Sequence, residues 1–224
     1  MFIRVNGIKM YYRVSGSGPA LVMIHGNGEE CSVFDPLAKA LSAHFTVYQC
    51  DSRGHGKSSP VTEFHYADMA EDFACFIREL GLEKPFIYGF SDGGILALLM
   101  AIRHPGLLGG MAASGANTTP NGLRTVSRMK MRLKYLRTKS ARHKLMLTEP
   151  HITKAELGTI RIPTLITAGD DDLIREADTR FIADCIPNAQ LRIYKGETHT
   201  SYVLDNDFLA PVLLDFAKEN GLAE

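Results

Sequence analysis

Ser91 lies in Gly89-Phe90-Ser91-Asp92-Gly93-Gly94, directly after the apolar run Pro85-Phe86-Ile87-Tyr88 and directly before the alanine- and leucine-rich stretch Ile95 to His104. A Gly-x-Ser-x-Gly pentapeptide arises easily by chance. At a strand-to-helix junction it describes a tight turn that lifts the serine hydroxyl clear of the chain. The flanking glycines are a steric requirement, because a Cβ at either place would collide with the neighbouring strand or helix. A serine hydroxyl alone is a weak nucleophile and needs a base within hydrogen-bond reach. Histidine is the usual base, held by a carboxylate that fixes its tautomer and stabilises the imidazolium. Of eight histidines, His199 is the best placed, between the last expected strand and the last expected helix. The carboxylate has to come from a strand-end loop. The loop after Ser114 offers Gly115, Ala116 and Asn117 and no acid, whereas the loop after Thr164 to Ala168 offers Asp170, Asp171 and Asp172. Periodicity does not choose among the three. The chain order serine, aspartate, histidine suits a serine placed on such a turn.

The elements needed to position these side chains are legible in the apolar pattern. Phe2 to Val5 and Ile8 to Val14 flank Asn6-Gly7, a hairpin signal. Ala20 to Ile24, Phe45 to Cys50, Leu108 to Ser114, Thr164 to Ala168 and Gln190 to Tyr194 read as further strands. Val33 to Ala43, Tyr66 to Leu80, Glu176 to Cys185 and Phe208 to Glu219 read as helices, the second with Met69, Phe73, Phe76, Ile77 and Leu80 on its inner face. Strands alternating with helices imply a mostly parallel sheet covered on both faces. Ligands of such sheets bind beyond the carboxyl ends of the strands. His25, Asp51, Ser91, Asp172 and His199 each follow an apolar strand, so all five are expected at that edge.

At 224 residues the chain suits one domain with a small insertion. Its 45% hydrophobic and 22% charged content is that of an ordinary globular protein. Cys31, Cys50, Cys75 and Cys185 form no Cys-x-x-Cys pair, which argues against a metal cluster or redox motif and for reduced thiols in a cytoplasmic protein. No basic head precedes a long apolar stretch at the N-terminus, and no apolar run reaches the length of a membrane span. Net charge is zero but uneven. No Asp or Glu occurs from Gly93 to Thr148, while Gly122 to Lys144 holds nine basic residues, so a basic insert interrupts an acidic body. Nothing in the pattern points to nucleic acid, a cofactor or a metal. A small-molecule substrate is the expected partner.

These motifs together resemble the α/β-hydrolase superfamily, in its small esterase-like branch, over nearly the whole chain. His25-Gly26-Asn27 resembles the oxyanion-loop signature, Asp51-x-Arg53-Gly54-x-Gly56-x-Ser58 the Asp-x-Arg-Gly-x-Gly-x-Ser motif, and Gly89-x-Ser91-x-Gly93 the nucleophile elbow. Gly169-x-x-Asp172 resembles the acid loop and selects Asp172. The resemblance implies an eight-stranded, mostly parallel sheet flanked by helices, with one antiparallel strand in the first hairpin. It implies a catalytic Ser91, Asp172 and His199, and an oxyanion hole from the backbone N–H groups of Asn27 and Asp92. It also makes residues 118–151 a small helical cap inserted into a core of residues 1–117 and 152–224. His25, Asp51, Arg53 and His55 are expected to brace loops rather than touch substrate. The Asp92 carboxylate is expected to bond nearby backbone, although in some relatives with this elbow the acid is proposed to meet a substrate amine. Within the insert, Val126, Met129, Leu133 and Leu136 recur at helical spacing, and this stripe is expected to face the pocket or the body, leaving the basic residues in solvent; two other readings are a basic face that draws in anionic substrates and a face that binds an acidic membrane or partner. The implied activity is cleavage of a small or medium carboxylic ester by acyl-enzyme chemistry. The same triad serves thioester, amide and carbon–carbon bond hydrolysis, and the same fold serves ligand-binding receptors with slow turnover.

Overall fold

A computed structural model describes all of residues 1–224. Eight strands form a single sheet in the order β1-β2-β4-β3-β5-β6-β7-β8. They are β1 (Phe2–Val5), β2 (Ile8–Ser15), β3 (Ala20–Ile24), β4 (Thr46–Cys50), β5 (Phe86–Phe90), β6 (Gly110–Ser114), β7 (Thr164–Asp171) and β8 (Ala189–Thr198). β2 pairs antiparallel with β1 and β4, and every pairing from β4 to β8 is parallel. Asn6 and Gly7 turn the first hairpin with φ of 43° and 80°.

The helices are α1 (Asp35–Leu41), α2 (Tyr66–Glu79), α3 (Asp92–Arg103), α4 (Thr125–Thr138), α5 (Ala141–Thr148), α6 (Lys154–Leu157), α7 (Glu176–Cys185) and α8 (Ala210–Glu219). Two cores lie on opposite faces of the sheet, and the central strands feed both by alternation. Leu21, Met23, Phe86, Tyr88, Ala112 and Leu165 point to α1 and α8, whereas Val22, Ile24, Ile87, Met111, Ala113 and Ile166 point to α2, α3 and α7. Burial on both faces is why these strands read as unbroken apolar runs. Each of the larger aliphatic and aromatic side chains among these contributes roughly 1.5–3 kcal/mol.

Three elements differ from the sequence expectation in ways that bear on the site. The helix expected over Val33 to Ala43 starts as a 3-10 turn at Cys31–Phe34, and regular α1 begins only at Asp35, because Pro36 suits a first helical turn and not an interior. β7 and β8 run past their expected ends to Asp171 and Thr198, which pair with each other across a bulge. The insert leaves and rejoins the body at one place. Ile152 N–H donates to the Thr118 carbonyl at 2.9 Å, and Asp178 at the start of α7 accepts from the Thr118 N–H and hydroxyl at 2.8 and 2.7 Å. No helix is long and apolar enough to cross a membrane.

Candidate active site

The turn after β5 has the strained geometry expected of it. Ser91 has φ 53° and ψ −114°, and its N–H donates to the Ser114 carbonyl at 2.7 Å. A Cβ on Gly89 would stand 2.1 Å from the Gly93 carbonyl oxygen, and one on Gly93 would stand 2.0 Å from that of Ile24. Both positions are therefore closed to any side chain, and the elbow is compressed between β3, β5 and α3.

His199 follows β8 directly. Its Nε2 lies 3.0 Å from Ser91 Oγ and its Nδ1 lies 2.6 Å from Asp172 Oδ1. Nδ1–H donates to the carboxylate, which leaves Nε2 as the acceptor facing the serine hydroxyl. Asp172 is buried, and its Oδ1 also accepts from the Ile174 N–H at 2.8 Å. Its two neighbours are turned elsewhere. Asp170 Oδ1 accepts from the Gly196 N–H, and Asp171 pairs with Arg124 at 2.8 Å. Of the three aspartates, Asp172 alone meets the histidine. The Phe90 ring lies against the His199 imidazole at 4.9 Å between centroids.

The backbone N–H groups of Asn27 and Asp92 make no hydrogen bond within the protein, and both residues line the same pocket as Ser91 and His199. Asp92 opens α3, where the first N–H groups have no intrahelical acceptor. The side chains of these two residues are tied together: Asn27 Nδ2 donates to Asp92 Oδ2 at 2.8 Å, and the Tyr66 hydroxyl donates to Asp92 Oδ1 at 2.7 Å. The Asp92 carboxylate is thus buried and occupied, by side chains rather than by the backbone expected from sequence. Burial raises its pKa, against the hydrogen bonds from Tyr66 and Asn27.

The bracing residues form a second layer. His25 Nε2 accepts from the Ser52 N–H at 3.0 Å and Nδ1–H donates to the Gly26 carbonyl at 2.8 Å. Burial pushes the His25 pKa down to about 4. His55 Nε2 accepts from the Gly28 N–H at 3.0 Å, Asp51 accepts from the Cys31 and Lys57 N–H groups at 2.8 Å each, and Arg53 makes a two-point ion pair with buried Asp72 at 2.6 Å. All four hold loops and none reaches the serine.

Four further residues touch the site without having been legible as such. Glu29 lines the pocket and accepts from the Gly26 N–H at 2.9 Å, with its pKa raised by burial. Glu149, from the end of the insert, lines it too and accepts from the Tyr66 N–H at 3.0 Å. Tyr66 anchors Asp92. Gly115, with φ +62°, lies so near the imidazole that a Cβ there would meet His199 Cε1 at 2.7 Å. A lone glycine directly after a strand was the one sequence signal available for it.

The insert contradicts its expected orientation. Val126, Met129, Leu133 and Leu136 are 63%, 61%, 61% and 52% exposed, and none of them faces the pocket or the body. α4 instead turns Ser127, Lys130, Met131 and Lys134 toward a cavity beside Asn27 and Gly28, at the i, i+3, i+4, i+7 spacing of one helix face, and of the four only Met131 also lines the pocket at Ser91. Its entry decides this. Leu123 is buried and bridges to Ile174, and Arg124 N–H donates to the Leu173 carbonyl at 2.8 Å. The roll of the helix is therefore set by the acid loop before its own apolar stripe begins.

Comparison with known proteins agrees with this architecture. The α/β-hydrolase fold family matches residues 19–139. The chain belongs to that family. It is 27% identical to the human serine hydrolase BPHL, over 96% of this chain and 84% of that protein. Its fold is similar to that of the esterase RhEst1 from a Rhodococcus species, with TM-score 0.79, 20% identity and coverage of 98% of both chains. It is equally similar to the meta-cleavage product hydrolase CumD of Pseudomonas fluorescens, with TM-score 0.79, 19% identity and coverage of 98% and 97%. Matches to several bacterial relatives span less of those proteins, 39% or 32% of their length.

Proposed function

We propose that this protein is a serine hydrolase that cleaves a small or medium carboxylic ester through an acyl-enzyme. The observation that carries the reading is the unbroken line from Asp172 Oδ1 through His199 to Ser91 Oγ, at 2.6 and 3.0 Å, beside two unbonded amides. In this reading His199 Nε2 takes the Ser91 proton as Oγ attacks the ester carbonyl carbon. The carbonyl oxygen becomes an oxyanion held by the Asn27 and Asp92 N–H groups, each such donor being worth about 3 kcal/mol. Collapse expels the alkoxide, which leaves as alcohol with the proton from His199. Water, deprotonated by the same nitrogen, then releases the acid. Asp172 holds the imidazole tautomer throughout. Residues 118–151 act as a cap over the core of residues 1–117 and 152–224. The pocket at the serine is about 190 Å³, which suits a small acyl or alcohol group. The names of the human serine hydrolase and the Rhodococcus esterase agree with this reading.

A fluorophosphonate should label Ser91, and p-nitrophenyl butyrate should be turned over. Ser91→Ala should lose turnover by up to about 10⁶, the loss typical of a triad serine. Labelling at another serine, or an active Ser91→Ala, overturns the mechanism. A panel of matched ester, thioester and amide substrates then ranks the scissile bond.

A further inference from the structure

A second cavity, of about 490 Å³, lies between the insert and the oxyanion loop. It shares Asn27, Met131, Met146 and Leu173 with the pocket at Ser91, so the two lie side by side against those four residues. Its charged lining is entirely basic: Lys130 and Lys134 from α4 and Arg142 from α5, with His143 beside them. None of the three cations is in an ion pair, whereas Arg53, Arg78, Arg124 and Arg180 each hold a carboxylate. The Arg142 guanidinium comes within 3.9 Å of where a Cβ on Gly28 would stand, which puts it over the oxyanion loop. His143 Nδ1 is buried without a partner. The acids of the neighbouring pocket, Glu29, Asp92 and Glu149, form no ion pair with these cations; their close partners are Gly26, Asn27, Tyr66 and His65. The insert itself carries no Asp or Glu before Glu149.

Three cations without ion-pair partners around one cavity repel each other, and an anion between them relieves that repulsion. We propose that this cavity is the subsite for a terminal oxyanion, a carboxylate or a phosphoryl group, carried on the limb of the substrate that extends past Met131 and Met146 from the scissile bond. The proposal rests on the serine hydrolase reading and names its substrate class: esters of dicarboxylic or phosphorylated compounds rather than neutral esters. Arg142, half-buried and beside the oxyanion loop, is the principal ligand. Lys130 and Lys134 stand at the outer mouth, where their attraction is screened by salt.

The test compares kcat/KM for p-nitrophenyl hydrogen glutarate with that for its neutral counterpart, p-nitrophenyl pentanoate. The wild-type ratio should favour the glutarate ester by about tenfold or more, the worth of one charge-assisted hydrogen bond. In Lys130→Gln/Lys134→Gln/Arg142→Gln the ratio should fall by about the same factor, through KM, and in the wild type it should shrink as salt rises. A wild-type preference for the pentanoate, or a ratio that the triple substitution leaves within about twofold, overturns the subsite. Calorimetric titration of glutarate and of inorganic phosphate into Ser91→Ala reads the same subsite without turnover. The stronger of the two anions identifies the terminal group, and failure of both to bind, or binding that survives the triple substitution, also overturns the proposal. Loss of all turnover with Ser91 unlabelled would instead count against the hydrolase reading, and the titration would still decide the subsite.

Discussion

Gly115 sets the position of His199 by having no side chain. A Cβ would meet the ring at 2.7 Å, and the φ of +62° disfavours any other residue. Gly115→Ala should therefore push the imidazole off the line between Asp172 and Ser91. A shift of about 1 Å at a reacting group costs on the order of 10²-fold in rate. The expected result is a fall of that size in kcat on p-nitrophenyl butyrate, with a circular dichroism spectrum like the wild type. Unchanged kcat would mean that the ring has room to spare. The acid loop permits a sharper comparison. Asp172→Asn should lower kcat by up to about 10⁴, because the amide reverses the histidine tautomer. Asp171→Asn touches only an exposed pair with Arg124, and exposed pairs contribute about 0–1 kcal/mol. Its kcat should stay within a few-fold of wild type. A larger loss at Asp171 than at Asp172 would relocate the acid.

At the scale of elements, the end of β3 depends on a neutral histidine. His25 both accepts from Ser52 and donates to Gly26, which only the neutral ring can do. With a folded pKa of about 4 against an ordinary 6.5, the folded state resists a proton that the unfolded chain accepts. The contribution of His25 to stability is thus complete above about pH 6.5 and is lost as pH falls toward 4, by roughly 3 kcal/mol. His55, also lowered by burial, acts in the same direction. Urea unfolding at pH 7 and pH 4.5 should show this loss in the wild type, and His25→Gln should lessen the difference between the two pH values. An undiminished difference would show that the slope arises elsewhere, in the carboxylates.

At the scale of the molecule, the insert rests on the body through few buried side chains. α4 has no buried residue, and α5 has only Leu145. Stability should follow that asymmetry. Met129→Ser/Leu133→Ser removes apolar side chains already in water, and should move the melting temperature by under about 2 °C. Leu145→Ala, at 2% exposure, should cost about 2–5 kcal/mol. Equal melting shifts for the two variants would mean that the exposed stripe is covered in solution.

Much of this protein was determined by its sequence alone, wherever local sterics and strand periodicity govern. The hairpin at Asn6-Gly7, the buried strands, the helix over Tyr66–Glu79 and the elbow at Ser91 follow from residues adjacent in the chain. So does the gathering of His25, Asp51, Ser91, Asp172 and His199 at one sheet edge, because parallel strands all end on the same side. Local pattern did not separate Asp172 from Asp170 and Asp171, since the three are consecutive and only the folded chain, in which β7 runs past a bulge to Asp171, brings one of them to His199. Resemblance to known motifs selected it. The roll of α4 was decided by tertiary structure against the local pattern. Amphipathicity predicts which face a helix buries only when a surface lies against that face. Here Leu123 and Arg124 fix the helix entry on the acid loop, the insert is too short to roof its own apolar stripe, and the face turned inward, to the cavity beside Asn27 and Gly28, carries Lys130 and Lys134.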